Sequence, residues 1–305
     1  MKLKVWGARG SIPAPGPETM RYGGNTSCVE LTLSDGSTLI LDAGTGIRNL
    51  GMAMNASDAP LPPINILLTH LHLDHIQGFM FFEPVFAPTA DVSVWGPASL
   101  GAPLRDRIAR YISAPLAPVE VRELPSHPSF HDADVLEWKI GPATIHAQPV
   151  NHRGPTLGYR IEDSGVVVCY IPDHEPGLGT SLMDDDERWI SGFDLASGAS
   201  LLVHDCQYTD TEYAHHLGWG HCPVSDALAF AHRTAAERVL LFHHDPLHSD
   251  AFLDDLRADV RERWSLLGSD PSTIEVATER LELDLRPRAG HARSGDFAQQ
   301  QLVSG

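Results

Sequence analysis

Apolar residues in this chain fall into short runs, and several of those runs end in histidine or aspartate. KLKVWGA, residues 2–8, predicts a first strand. RGSIPAPGPETMRYGGNTS follows, too rich in glycine and proline for regular structure. It is long for a passive connector, which marks it as a segment that lines something. CVELTLSDGSTLILDAG carries two β-rich runs around Asp35-Gly36 and predicts a hairpin. GIRNLGMAMN predicts a short helix. INILLTH is a largely apolar run of strand length and predicts a strand buried on both faces. HIQGFMFFEPVF predicts a helix, and DVSVWGP another strand.

Residues 101–112 predict a helix, and VEVRELP, VLEWKIG and ATIHAQPVNH predict strands. LGYRIEDSGVVVCYIPD predicts a second hairpin, turning at Asp163-Ser164-Gly165. Residues 175–197 are acidic and irregular. ASLLVHD predicts a strand ending in polar residues, SDALAFAHRT a helix, and ERVLLFHH a strand. DAFLDDLRADVRERW predicts an amphipathic helix, and TIEVATERLELDL a final strand. No repeat of solenoid length and no dividing linker is visible. Residues 1–286 are therefore expected to form one domain, and 287–305, which lack periodicity, a mobile tail. Strands come first in hairpins and then alternate with helices in both halves. That order predicts an α/β protein of two packed sheets with helices outside.

Composition narrows the class. The 305 residues are 42% hydrophobic and 20% charged, ordinary for a globular protein. Forty acidic residues against 22 basic give a net charge of -18, a field that repels polyanions. No basic track for nucleic acid is present. The four cysteines, Cys28, Cys169, Cys206 and Cys222, form no C-x-x-C pair and read as free thiols in a reducing compartment. The N-terminus lacks an apolar core of signal-peptide length, and no stretch is long enough to span a bilayer. A soluble cytoplasmic protein is expected.

The chemistry concentrates in His70-Leu71-His72-Leu73-Asp74-His75, at the end of the INILLTH run. Alternate residues of an extended segment point the same way, so His70 and His72 can grip one cation. Asp74 and His75, where the chain turns into a helix, can face a second cation beside it. The plainer alternative is a polar strand-to-helix turn with Asp74 as its N-cap. Further ligands must come from distant strand ends. His152, Asp173 and His243 each terminate an apolar run, as His70 does.

This series, His70-x-His72-x-Asp74-His75, then His152, Asp173 and His243, resembles the metallo-β-lactamase superfamily from Leu41 to Phe242. The resemblance implies a four-layer αββα sandwich with a dinuclear site along one edge of its sheets. It implies that His70, His72 and His152 hold one metal, that Asp74, His75 and His243 hold the other, and that Asp173 bridges them. Asp42, in LILDAG, corresponds to an aspartate that braces the metal loop, by accepting from a ligating imidazole or the loop backbone. An Asp-Ala-Gly turn alone would also explain it. Zinc leads as the metal, and manganese or iron also suits mixed histidine and carboxylate ligands.

Two divalent cations about 3.5–4 Å apart share a water, lower its pKa and yield a bridging hydroxide near neutral pH. That chemistry suits an ester, amide or phosphodiester. Asp205 in LLVHDCQY and His221 in GWGHCPVSDALAFAH resemble the proton-delivery pair of the branch containing tRNase Z and cyclic phosphodiesterases. This chain departs from that pattern in reading His221-Cys222-Pro223, and His221 also suits a helix N-terminal residue bonded to backbone. Asp74, His221 and Asp205 are the catalytic candidates, Asp74 doubling as a metal ligand. Asn25 and Ser27, in YGGNTS, are candidates to hold phosphate oxygens, although a plain turn would read the same.

The expected function is a binuclear phosphodiesterase acting on a small phosphodiester such as a cyclic nucleotide. Alternatives are a thioesterase or lactonase on the same fold, a tRNase Z-like ribonuclease and, last, a non-catalytic metal-binding regulatory protein. tRNase Z holds its polyanion with a projecting basic arm. The candidate insertions here, 97–118 and 175–197, are mixed and acidic, so no long nucleic acid and no membrane partner are expected. The resemblance also leaves room for a homodimer.

Overall fold

The computed structural model describes residues 1–56, 60–133, 137–180 and 182–287. The chain runs β1 (Lys2–Gly7), β2 (Cys28–Thr32), β3 (Thr38–Leu41), α1 (Gly46–Asn55), β4 (Ile64–Leu67), α2 (Leu73–Ile76), β5 (Val92–Pro97) and α3 (Leu104–Tyr111). It continues through β6 (Ser129–Ala133), β7 (Glu137–Ile140), β8 (Ala143–Pro149), β9 (Leu157–Asp163), β10 (Val166–Ile171), α4 (Phe193–Ala196) and β11 (Leu201–Asp205). It ends with α5 (Asp210–Tyr213), α6 (Val224–Arg233), β12 (Val239–Phe242), α7 (Asp250–Leu266), β13 (Ile274–Val276) and β14 (Glu282–Asp284). The expected tail lies outside the described residues from 288 onward.

Two sheets form, in the orders β14-β1-β2-β3-β4-β5-β6 and β13-β12-β11-β10-β9-β8-β7. Side-chain alternation along the strands sorts residues into separate cores. Leu39, Leu41 and Leu67 meet Tyr159, Val168, Tyr170, Val203 and Phe242 between the sheets. Ile40, Ile64, Ile66 and Val94 point outward, against Ile47 and Leu50 of α1 and Leu104 and Ile108 of α3. Cys169, Ile171, Leu202 and Leu241 point outward on the other side, against Ala227, Leu228 and Ala231 of α6 and Leu253, Leu256, Val260 and Trp264 of α7. Those last side chains recur at helical spacing, which gives α7 its buried stripe. The result is the αββα sandwich.

Strands β3 to β6 are mutually parallel, and so are β10 to β13. Carboxyl ends of parallel strands open together at one edge of a sheet, where ligands bind in such folds.

Several local expectations need correction. HIQGFMFFEPVF is not one helix. α2 stops at Ile76, and 3₁₀ turns follow at Phe79–Phe81 and Glu83–Phe86. Gly78 packs so tightly on the Gly44 carbonyl that a Cβ would collide with it, and Pro84 cannot continue a helix interior. VEVRELP is a 3₁₀ turn at Val121–Glu123, not a strand. Its buried residues, Val121 and Leu124, lie three apart, the period of that turn and not of a strand. TIEVATERLELDL holds two strands in different sheets, β13 and β14. β6, unpredicted, is an edge strand with mostly half-buried or exposed residues, so it lacks an apolar run.

Candidate functional site

The site sits where strands end. The segment after β4 carries His70 and His72, and α2 opens with Leu73 and then Asp74 and His75. His152 lies in the β8–β9 loop, Asp173 just past β10, Asp205 at the end of β11 and His243 directly after β12. Asp42 directly follows β3. Asp42 and His243 have φ values of 59° and 61°, in the left-handed region that non-glycine residues avoid. Such conformations cost about 1–3 kcal/mol each and persist where the surroundings over-determine them.

His70, His72 and His152 bring ligand atoms within 4.8 Å of one another, as do Asp74, His75 and His243. His152 Nε2 lies 3.2 Å from His72 Nδ1. His75 Nε2 lies 3.3 Å from His243 Nε2 and 3.3 Å from Asp74 Oδ2. Asp173 lies between the sets. Its Oδ2 is 3.6 Å from His70 Nε2, 3.6 Å from His152 Nε2 and 3.4 Å from His243 Nε2, and its Oδ1 is 3.1 Å from His75 Nε2.

These residues fit a metal by their own chemistry. His70 Nε2 and Asp173 Oδ1 are buried and make no hydrogen bond. Imidazole nitrogens approach one another nitrogen to nitrogen, and a neutral ring has only one proton to donate. Converging nitrogen and carboxylate lone pairs are the donor set of a divalent cation. Burial and the neighbouring His75 push the His70 imidazole well below its usual range, which keeps it neutral and able to ligate. Burial pushes the Asp173 carboxyl up, but His243, His75 and His70 outweigh it and hold the group well below the usual carboxylate range.

The far nitrogen of each ring is also fixed. His75 Nδ1 donates to Asp42 Oδ2 at 2.8 Å, His152 Nδ1 to the Gly220 carbonyl at 2.7 Å, and His243 Nδ1 to Gln207 Oε1 at 3.0 Å. All three acceptors lack protons, so each Nδ1 must be the donor, and in the neutral ring that binds a metal each Nε2 is left with the lone pair. Asp42 also accepts from the Thr69 N–H at 2.7 Å and the Tyr170 hydroxyl at 3.0 Å. The Ser11 N–H donates to Asp74 Oδ2 at 2.7 Å.

His221 Nδ1 donates to Asp205 Oδ2 at 2.6 Å. Asp205 is fully buried and also accepts from the His174 and Gln207 N–H groups, both at 3.0 Å. His221 Nε2 is then 4.0 Å from Asp173 Oδ2. Burial pushes the His221 pKa down, but Asp205, through charge and hydrogen bond, then Asp173 and Asp74, raise it above the usual imidazole value. The cleft in front, about 320 Å³, is lined by Ser11, His72, Leu73, Asp74, Asp173, His221 and His243.

Asn25 and Ser27 do not line this cleft. The Asn25 side chain donates to Glu279 Oε2 at 3.1 Å, and Ser27 is fully buried. The N-terminal loop reaches the cleft through Ser11 instead, and only the length of that loop hinted at it. Gln207, Thr69, Tyr170 and Gly220 carried no sequence signal, because each acts through a partner distant in the chain or through its backbone. His244 points away, its Nε2 on the Ala277 carbonyl at 2.8 Å. Cys206 and Cys222 are buried, and the Cys222 thiol donates to the Asp205 carbonyl at 3.1 Å.

Comparison with known proteins adds the relatives. A family model described as the β-lactamase superfamily domain matches residues 37–244, more than half of the chain. A ribonuclease Z of Mycobacterium bovis (strain BCG / Pasteur 1173P2) is 26% identical, over 90% of this chain and 96% of its own length. Zn(2+)-bound PqqB from Methylobacterium extorquens superposes with a TM-score of 0.66 at 18% identity, covering 93% of this chain and 100% of that one. A diphosphatase from the PhnP family gives 0.64 at 17% identity, covering 94% and 98%.

Proposed function

This chain belongs to the β-lactamase superfamily, in its tRNase Z and phosphodiesterase-like branch of metal-dependent hydrolases, and on that premise we propose a phosphodiesterase acting on a small phosphodiester such as a cyclic nucleotide. The observation that carries the reading is the His221–Asp205 pair, which shares its cleft with the histidine and aspartate cluster. Two divalent cations, zinc first among them, would acidify a water there and offset phosphoryl charge. His70, His72 and His152 would hold one, Asp74, His75 and His243 the other, with Asp173 between them. Asp205 keeps the Nδ1 proton of His221 in place and its charge favours the doubly protonated ring, whose Nε2 proton then faces the cleft. A departing alkoxide needs that proton, and a p-nitrophenolate does not. Ser11, through its N–H, holds Asp74 in its ligating position.

A small substrate is favoured because, among the described residues, no arginine or lysine lines the cleft, and the net charge is -18. The relatives named ribonuclease Z make an RNA the second reading. We also read residues 1–286 as one domain. Among the described residues no helix is long and apolar enough to cross a membrane, and four buried free thiols fit a reducing cytoplasm.

The test is a hydrolysis screen on protein whose metals have been counted. It should include cyclic nucleotides, bis-p-nitrophenyl phosphate, a thioester, a lactone and a precursor tRNA. Turnover of the small phosphodiesters is expected. Inertness toward every phosphodiester, with thioester or lactone turnover, overturns the reading. Preference for the precursor tRNA selects the second.

A further inference from the structure

Glu175 is a buried carboxylate that the chemistry above does not use. It is 1% exposed and directly follows Asp173-His174. Its Oε1 accepts from the Tyr213 hydroxyl and the Gly218 N–H, both at 2.7 Å, and its Oε2 accepts from the Gly220 N–H at 2.8 Å. Its own N–H donates to the Asn151 carbonyl at 2.9 Å, one residue before His152. Glu175 therefore touches both segments that meet around His152.

The loop it grips is also held by Arg153 Nε on the Gly218 carbonyl at 2.9 Å and by the Trp219 N–H on the His216 carbonyl at 3.0 Å, but the N–H groups of both Gly218 and Gly220 go to Glu175. Gly218 and Gly220 have φ values of 78° and 93°, conformations that glycine enters freely and leaves as freely. Leu217, just before Gly218, and Trp219, between the two glycines, are more than half exposed. Yet this loop has two demanding tasks. The Gly220 carbonyl accepts the His152 Nδ1 proton, and the next residue is His221. A carboxylate taking several N–H and O–H donors makes charge-assisted bonds, the strongest available clamp on such a backbone.

We propose that Glu175 is a positioning residue that holds the 213–221 loop so that His152 faces the metal cluster and His221 the leaving group. The proposal rests on the roles given to His152 and His221 above. Glutamine in its place would keep one acceptor oxygen but set an amide donor against an N–H donor.

The test measures zinc affinity by chelator competition, turnover of a phosphodiester with a poor leaving group relative to a good one, and thermal stability. Glu175→Gln should weaken zinc binding roughly 10–100-fold, as loss of an outer partner does, and lower the poor-to-good turnover ratio. Tyr213→Phe removes one contact and leaves both N–H bonds, so it should move each readout less. Gly220→Ala attacks the same link from the other side, because a Cβ there would collide with His152 Nδ1. It should lower zinc affinity in folded protein and decides the matter if Glu175→Gln does not fold. Wild-type zinc affinity and an unchanged ratio in folded Glu175→Gln, or wild-type affinity in Gly220→Ala, overturns the proposal. Zinc affinity does not depend on which ester is hydrolysed, so failure of the phosphodiesterase reading would leave this result standing.

Discussion

The two sheets build the same edge by different means. The first supplies His70, His72, Asp74 and His75 from one continuous segment, braced by Asp42 at the end of the neighbouring strand. The second supplies His152, Asp173, Asp205, His221 and His243 from separate loops and strand ends. Geometry in the first is set locally, by extended alternation and then a helical turn. In the second it depends on the register of β9 to β12 and on loop anchors such as Gly220 and Gln207. Each candidate metal-holding set draws on both sheets, so neither is complete until the sheets pack. The contiguous half should tolerate single losses better than the dispersed half, where one residue joins distant parts.

The largest effect is expected at that joining residue. Asp173→Ala removes the carboxylate that lies within 3.6 Å of His70, His152, His243 and His75. Retained metal should fall in both sets, and kcat/KM by more than the roughly 100-fold upper range for an outer partner. Metal counting after dialysis, beside kinetics, checks this. His72→Ala, an exposed member of the contiguous string, should do less damage. Equal losses in the two variants would erase the contrast between the sheets.

A smaller, more selective effect is expected at His221. His221→Ala leaves both ligand sets intact, so metal content should match the wild type. Turnover should fall about 10²–10⁴-fold for an alkyl leaving group, the usual worth of a placed general acid, and little for p-nitrophenolate. Equal losses for both leaving groups would move His221 from proton donor to scaffold.

The same contrast explains what was legible in the sequence. His70 to His75 stand together, and Asp173 and His243 end apolar runs, so burial and ligand chemistry mark them at once. The sandwich followed from the order of strands and helices and from the family resemblance. What stayed hidden depends on contacts between distant segments. Glu175 looked like the start of an acidic irregular stretch, yet its oxygens meet N–H groups more than forty residues away. Gly220 acts through a carbonyl that has no sequence signature. VEVRELP imitates strand alternation until its buried residues prove to be Val121 and Leu124.

The smallest effect is expected at Asn25, and it tests the first sheet's loop. Both the Asn25 N–H, at 2.6 Å, and its side-chain Nδ2, at 3.1 Å, donate to the Glu279 carboxylate. Glu279 lies in the segment that carries the chain from β13 in one sheet to β14 in the other, and its own N–H is held by the Tyr22 carbonyl at 2.9 Å. Asn25 thus ties the N-terminal loop to the crossover between sheets and does not line the cleft. Asn25→Ala keeps the backbone bond and loses one partly buried bond to a charged group, which costs about 1.5–3 kcal/mol at most. Thermal stability should drop modestly, while KM and kcat for a small phosphodiester stay at wild-type values. A raised KM with unchanged stability would return Asn25 to the substrate side, and the first sheet would then contribute substrate contacts as well as metal ligands.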